Sequence, residues 1–437
     1  MGVSRLVVML AAAKELRAGS RRRSSPWRRK AVTSAVAVGL LAGCSAGKGD
    51  AGRVASCDAP GVTPESIKVG LIYPDTGGLA DAFRPARSAV EARIGLANAT
   101  GGVNGREIEL VAGDDSDTPS VNAGVAKDLV EQKRVFGLVQ LSAAVSGSAD
   151  YLDQAGVPVT GLTAESLWND HDNMFSFSYV SAKGAAVTTF GRYARAQGGT
   201  RAVVLQQEDP GSSTEIADQL IVSLGSQYIE TVGRVGFTTG ISSATRTADQ
   251  IIASKADIIV STVSMDSLAE VLEAVRVRGG KPRVIISPTG YNARLLQEKG
   301  AALAGLSIWL NYTPFESRSP AIGQYENAMA LYGPGLETPD QEVAVASYIS
   351  ADLFLRGLQA AGPCPTRESF ITNLRAVKDY DAGGLVPGTI DLSTNRGSVS
   401  TCYAFVRVNA NATGFDVMHD GDGSSQWCGT RLQPTGR

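Results

Sequence analysis

"IKVGLIYPDTGGLADAFRPARSAVEARIGLANATGGVNGREIELVAGDD", residues 67–115, decides the architecture of this chain. It opens on a short apolar run, "IKVGLIY", that reads as a strand. In "RPARSAVEARIGLANA" the spacing of Ala89, Arg93, Ile94 and Ala97 turns helical. "REIELVAGDD" then alternates, so the order is strand, helix, strand. Between the last two, the Asn-Gly pair of "TGGVNGR" reverses the chain. The same rhythm carries on outward. "TPSVNAGVAKDLVEQK" places Thr118 as an N-cap with Pro119 at the first helical position, and the strand "VFGLVQL" follows. "GSADYLDQAG" and "VPVTGL" repeat the alternation.

A second series begins after "FSFSYVS": helix 184–197, strand "RAVVLQQ", helix 213–225, strand "YIETVGRVG", a helix near 243–254, strand "ADIIVSTV", helix 266–279 and strand "RVIISP". Strands alternating with helices build parallel sheets covered by helices on both faces. Two such series imply two α/β lobes. "QEVAVASYISADLFLRGLQAAG" is apolar nearly all round and reads as a buried helix. "GSVSTCYAFVRVNA" reads as a pair of strands or one long one.

The front of the chain has a different character. "KAVTSAVAVGLLAG", residues 30–43, is an apolar stretch of secretory length after the basic block "RRRSSPWRRK". It is shorter than the roughly 20 residues a membrane span needs. Leu41, Ala42, Gly43 and Cys44 resemble the lipobox of bacterial lipoproteins, in which the cysteine sulfur receives a diacylglycerol. Residues 1–43 are therefore expected to be a lipoprotein signal peptide and 44–59 a flexible leash. The lipid would tether the chain to the outer face of the cell membrane. "MGVSRLVVMLAAAKELRAGS" fits poorly in such a signal, which puts the expected translation start downstream of it.

Removing those residues changes the charge. The chain of 437 residues has a formal net charge of −2, but the first 43 hold nine Lys+Arg and one Asp+Glu, so the remainder stands near −10. That argues against nucleic acid and anionic membrane surfaces as partners. After Cys44, four cysteines remain: Cys57, Cys364, Cys402 and Cys428. An even number in an exported chain points to two disulfides, with three connectivities open. There is no CxxC, and His171 and His419 are the only histidines, so neither a metal site nor a cofactor is expected. Catalysis is not expected either. The sequence lacks G-x-S-x-G, G-x-x-x-x-G-K-[ST] and H-E-x-x-H, and neither histidine stands at a strand end.

Taken in order, "IKVGLIYPDTGGLA", "ANATGGVNGREIELVAGDDSDTPSVNAGVAKDLV", "GLVQLSAAVSGSADYLDQAGVPVTGLTAES" and the late helix around "VASYISADLFLRGLQ" resemble the extracytoplasmic branched-chain amino-acid-binding proteins. The resemblance covers most of residues 66–400. It implies a type I periplasmic binding fold: α/β, two doubly wound parallel-sheet lobes joined by a three-strand hinge. Lobe one is expected over 60–181 and 310–385, lobe two over 182–309 and 386–437. Since a disulfide across the hinge would oppose closure, this division implies the pairs Cys57–Cys364 and Cys402–Cys428. The implied function is capture of an amino acid or related carboxylate for the permease subunits of an ABC importer, by a monomer. A ligand-sensing receptor of the same fold is the alternative, and a hydrolase a more remote one.

The same resemblance suggests the ligand-binding residues. Strand ends in lobe one carry Tyr73 and Asp75 in "YPDTGG", Ser142 and Ala143 in "QLSAAVSG", and Thr163, Ala164 and Glu165 in "TGLTAES". Ser142 matches the family's carboxylate-binding serine, while Thr163 and Glu165 stand where the family uses a backbone amide and a threonine hydroxyl. Glu165 departs from the pattern: its carboxylate would repel the ligand's unless it points away or is protonated. The alternative reading is a first-turn acid with only backbone facing the cleft. A second departure is Thr289 in "SPTGYN", where the family has an amine-binding acid; Asp266, Asp209 or Glu208 could replace it. "EDPGSS" departs a third time, with Pro210 where the family usually has an aromatic. Tyr73, Phe83, Tyr179 and Tyr291 could stack on a ligand, and Trp168 reads as a lid or surface residue.

Overall fold

The computed structural model describes residues 57–77, 79–179, 185–207, 212–333, 335–336 and 338–432. The leader, Cys44, leash residues 44–56, and Glu208, Asp209 and Pro210 lie outside these. The chain enters a first lobe through β1 (Ser66–Tyr73), the single turn α1 (Ala80–Phe83), α2 (Pro85–Ala99), β2 (Glu107–Asp114) and α3 (Pro119–Lys127). It continues through β3 (Gly137–Gln140), α4 (Ala149–Gln154), β4 (Val159–Gly161) and β5 (Met174–Phe175). These strands form one parallel sheet in the order β2-β1-β3-β4-β5. At the turn between α2 and β2, Asn104 and Gly105 take φ of 51° and 78°, a left-handed pair that asparagine and glycine tolerate best.

A second lobe follows: β6 (Ala186–Val187), α5 (Thr189–Ala196), β7 (Arg201–Gln207), α6 (Ser212–Gly225), β8 (Glu230–Phe237) and α7 (Ala244–Ala253). Then come β9 (Ile258–Ser261), α8 (Met265–Val277), β10 (Val284–Ser287), α9 (Ala293–Leu303) and β11 (Leu306–Leu310). The chain returns to the first lobe with α10 (Pro320–Tyr332), α11 (Glu342–Ala361) and α12 (Arg367–Arg375). It finishes on the second with β12 (Cys402–Val408), β13 (Phe415–Val417), β14 (Gln426–Cys428) and β15 (Arg431–Leu432). Strands β8, β7, β9, β10 and β11 lie parallel, and β12 closes against β11 antiparallel. Strands β9, β10 and β11 are buried along their whole length, which explains why they are mostly Ile, Val and Leu.

The chain passes to the second sheet late. Leu392 donates its amide to the Val377 carbonyl (2.8 Å) and Asn395 its side-chain amide to the Ser176 carbonyl (2.9 Å), so both stay with the first lobe beyond residue 385. Helix 184–197 is shorter than its sequence pattern predicts. Ala186–Val187 pairs antiparallel with Arg431–Leu432 instead, and the helix starts at Thr189. The stretch around Cys402 is one strand rather than two. Thr118 and Pro119 do begin α3, although the Thr118 hydroxyl donates to the Ser116 carbonyl and caps no helix amide.

Trp168 is neither lid nor surface. It is fully buried with Leu138, Val159 and Met174, and its ring closes over Gly161. A Cβ at Gly161 would lie 1.9 Å from the Gln140 carbonyl oxygen, so only glycine lets β4 end there.

Disulfides join Cys57 to Cys364 within the first lobe and Cys402 to Cys428, directly opposite each other on β12 and β14, in the second. Beside the first, the buried Arg106 donates to the Thr63 and Pro363 carbonyls at 2.7 and 2.6 Å. Among the described residues, no helix is long and apolar enough to cross a membrane, and no group of three His, Cys, Asp or Glu is placed to hold a metal ion.

Candidate functional site: the interlobe cleft

The carboxyl ends of β1, β3 and β4 carry the loops 74–77, 141–146 and 162–165. The first is held by Asp114, the last residue of β2. Its Oδ1 accepts from the amides of Asp75 (2.9 Å), Thr76 (3.2 Å) and Ser116 (2.9 Å), and its Oδ2 from the Thr76 hydroxyl (2.6 Å). Partial burial pushes this carboxyl up, but the Thr76 hydroxyl and the three amides together outweigh it and hold the group below the usual range. Asp114→Ala is expected to lower the unfolding free energy by about 1–3 kcal/mol, because several donors lose an ionised acceptor at once. The Asp114 contribution should be complete at neutral pH and lost as pH falls below about 4, through the depressed native pKa. Chemical denaturation of both proteins from pH 7 to pH 3 checks this: the difference between them must shrink at the acid end.

The second loop rests on Asp115, which is fully buried. Its carboxylate accepts from the Asn122 side-chain amide (2.9 Å), the Asp117 backbone amide (3.1 Å) and the Ser142 hydroxyl. Asn122 also donates to Gln140 Oε1 (3.1 Å), and Gln140 Nε2 to the Ser148 hydroxyl (3.1 Å). Ser142 is thus fully buried within a network of the protein's own polar groups, and it accepts the Ala144 amide at 2.9 Å. Gly147 lies so close to α3 that a Cβ there would sit 1.8 Å from the Pro119 carbonyl oxygen.

The third loop is committed in the same way. Thr163 donates its hydroxyl to the Ser178 carbonyl at 2.7 Å, and the Ala164 amide donates to the Leu162 carbonyl at 3.0 Å. Half-buried Glu165 turns toward the second loop, where its Oε2 accepts the Ser146 amide at 2.9 Å. A carboxylate of the chain itself therefore takes an amide at the head of the 145–147 turn. Ala143 is half-buried and Ala164 exposed beside these groups. Tyr73 and Tyr179 are 3% and 2% exposed and fill the lobe's interior, with Phe83 half-buried against the same core.

From the second lobe come Thr289, exposed after β10, and Asp266, at the start of α8 and paired with Lys299 at 2.5 Å. Tyr291 is buried. Its ring stacks on Phe315 at 5.4 Å, while its hydroxyl donates to the Glu316 carboxylate and accepts the Phe315 amide at 2.9 Å. Burial, reinforced by Glu316, raises the phenol well above its usual value. Tyr291 thereby fastens the end of β10 to the segment between β11 and α10 that leads back to the first lobe.

Two cavities open where the lobes meet. One, of about 250 Å³, runs from Pro288, Thr289 and Asn311 inward to Phe190, Trp309 and Tyr403. The other, of about 430 Å³, is lined by Asp81, Met265, Asp266, Tyr291 and Leu295 among others. Glu342, the first residue of α11 in the first lobe, lines both. Its side chain is open to the cleft yet crowded by both lobes, and that desolvation pushes its carboxyl up to about 7. Water in the open cleft moderates the effect, which closure would strengthen.

Neither Asp114, Asp115 nor Glu342 stands out from the sequence as a site residue. "GDDSD" after a strand is a usable signal for the first two, since acids there can hold the amides of a neighbouring loop. Glu342 carries no such signal, being the ordinary first-turn acid of an apolar helix.

Comparison with known proteins agrees with this layout. Residues 66–414 match a family model described as periplasmic binding protein. The Leu/Ile/Val-binding protein homolog 2 of Brucella abortus (strain 2308) is 32% identical over 117 residues, 25% of this chain and 32% of that protein. The chain thus spans about a third of the length of this curated relative. Among solved structures, a putative branched-chain amino acid ABC transporter protein from Rhodospirillum rubrum superposes with a TM-score of 0.68 at 19% identity, covering 81% of this chain and 100% of that one. The branched-chain amino acid transporter substrate binding protein LivJ from Streptococcus pneumoniae, in complex with isoleucine, superposes with a TM-score of 0.63 at 19% identity, covering 81% and 99%. With the family model spanning both sheets and the loops between them, the chain belongs to the periplasmic binding protein family.

Proposed function

We propose that this chain is a lipid-anchored, extracytoplasmic solute-binding protein that takes a small organic solute between its lobes and presents it to the membrane permease of an ABC importer. The observation that carries the reading is the pair of cavities at the lobe junction, both reaching Glu342. Residues 60–181 with 310–395, and residues 182–309 with the strands from Cys402 onward, act as the two bodies that close on the solute. The work is binding and a shift from open to closed states, with no chemistry on the solute. Anchoring is supported by the "LAGC" run ending at Cys44, which would hold the protein on a short leash at the outer face of the membrane, where it works as a monomer.

Thermal unfolding of the full chain against branched-chain, aromatic and acidic solutes tests the reading. A true ligand at 100 times its dissociation constant stabilises by about 2.7 kcal/mol, seen as a rise of a few degrees. A broad panel in which no solute moves the transition would count against solute capture.

A further inference from the structure

We propose that the 250 Å³ cavity takes a small organic amine, its hydrocarbon or aromatic body between Phe190, Trp309 and Tyr403 and its ammonium at the mouth beside Glu342 and Asn311. The inference rests on the solute-binding reading and names the ligand class for it. Phe190, Trp309 and Tyr403 already group together, Phe190 edge to face with the Trp309 ring at 5.0 Å and tilted against the Tyr403 ring at 4.8 Å. Ile216, Leu220 and Pro288 complete an apolar wall. The volume is at the small end for ligand sites, which suits a single ring with a short arm.

The polar end decides the charge. Asn311 lines the cavity, and its Oδ1 is enclosed with no hydrogen-bond partner, an acceptor left unpaired at the polar end. Glu342 supplies the negative charge. Among the described residues, neither this cavity nor its neighbour is lined by arginine or lysine, while the neighbour's Asp81 and Asp266 are already paired with Arg84 and Lys299. An ammonium gains a counter-ion in Glu342, an acceptor and aromatic faces there, whereas a carboxylate would meet the Glu342 charge with only the neutral donors of Gln219, Thr289 and Asn311 to offset it. The first lobe points the same way, because Glu165 already holds the Ser146 amide that an external carboxylate could have used.

The test uses three probes with one ring in common: 2-phenylethylamine, 3-phenylpropionate and phenylalanine, each titrated into the full chain by calorimetry. The amine should bind most tightly, and Glu342→Gln should weaken it about 10- to 100-fold, the factor for losing a charge-assisted contact. Because Glu342 is exposed to the cleft, the variant should keep the wild-type melting temperature to within a degree or two, which separates lost binding from lost folding. Tighter binding of the acid or of the amino acid would overturn the inference, as would amine binding that Glu342→Gln leaves unchanged or no amine binding at millimolar concentration. In each case a leucine or glutamate response in the thermal panel would leave solute capture standing, and a silent panel would remove both.

Discussion

Opening the Cys57–Cys364 bridge with a Cys57→Ser/Cys364→Ser double substitution is expected to cost more stability than opening Cys402–Cys428. The first closes a loop of 307 residues and the second one of 26. In the chain-entropy limit these are worth about 5–6 and about 3.5 kcal/mol, because a longer closed loop removes more freedom from the unfolded chain. The loop closed by Cys57 and Cys364 contains the parallel strands of the second sheet, so its effect belongs to global unfolding rather than to one lobe. Residual packing should soften the native-state loss, since Arg106 still binds the Thr63 and Pro363 carbonyls without the bridge. Urea denaturation of the two double variants, each compared with the wild type, measures the difference. Equal losses, or a larger loss at Cys402–Cys428, would show that loop length does not govern these bridges.

Asp115→Ala should lower the unfolding free energy by about 2–4 kcal/mol, since the fully buried Asn122 and Ser142 and the half-buried Asp117 amide all lose their acceptor. Asp115→Asn should lie between that and the wild type. An amide oxygen can still accept from Ser142, but its NH₂ then competes with that of Asn122. The consequence reaches the cleft. Ser142 and, through Gln140, Ser148 flank the turn whose Ser146 amide Glu165 holds, so loosening the network should also weaken any solute bound there. Guanidinium denaturation gives the stability change, and a near-neutral Asp115→Ala would mean the network contributes little.

The parallel sheets were legible because strand and helix periods alternate plainly from Ile67 to Ser287, and buried parallel strands advertise themselves as apolar runs. What escaped was long-range. The start of helix 184–197 is displaced by pairing with Arg431–Leu432, far away in sequence, which no local pattern encodes. Trp168 sits among polar neighbours in "SLWNDHDN", so its burial depends on Gly161 leaving room beneath it. Within the cleft, the residue types at Ser142, Thr163 and Glu165 could be read, but their partners could not. Asp115, the Ser178 carbonyl and the Ser146 amide are brought to them only by folding. Glu342 was hidden by its own helix, whose apolar length drew attention to packing and away from the acid at its head.

The most direct test of capture between the lobes is small-angle X-ray scattering of the full chain, alone and saturated with whichever solute gives the largest thermal shift. Closure of the two sheets around the cavities predicts a smaller radius of gyration and a shorter maximum dimension in the saturated sample. A solute that raises the melting temperature while both dimensions stay unchanged would contradict it, and would place binding on one lobe alone.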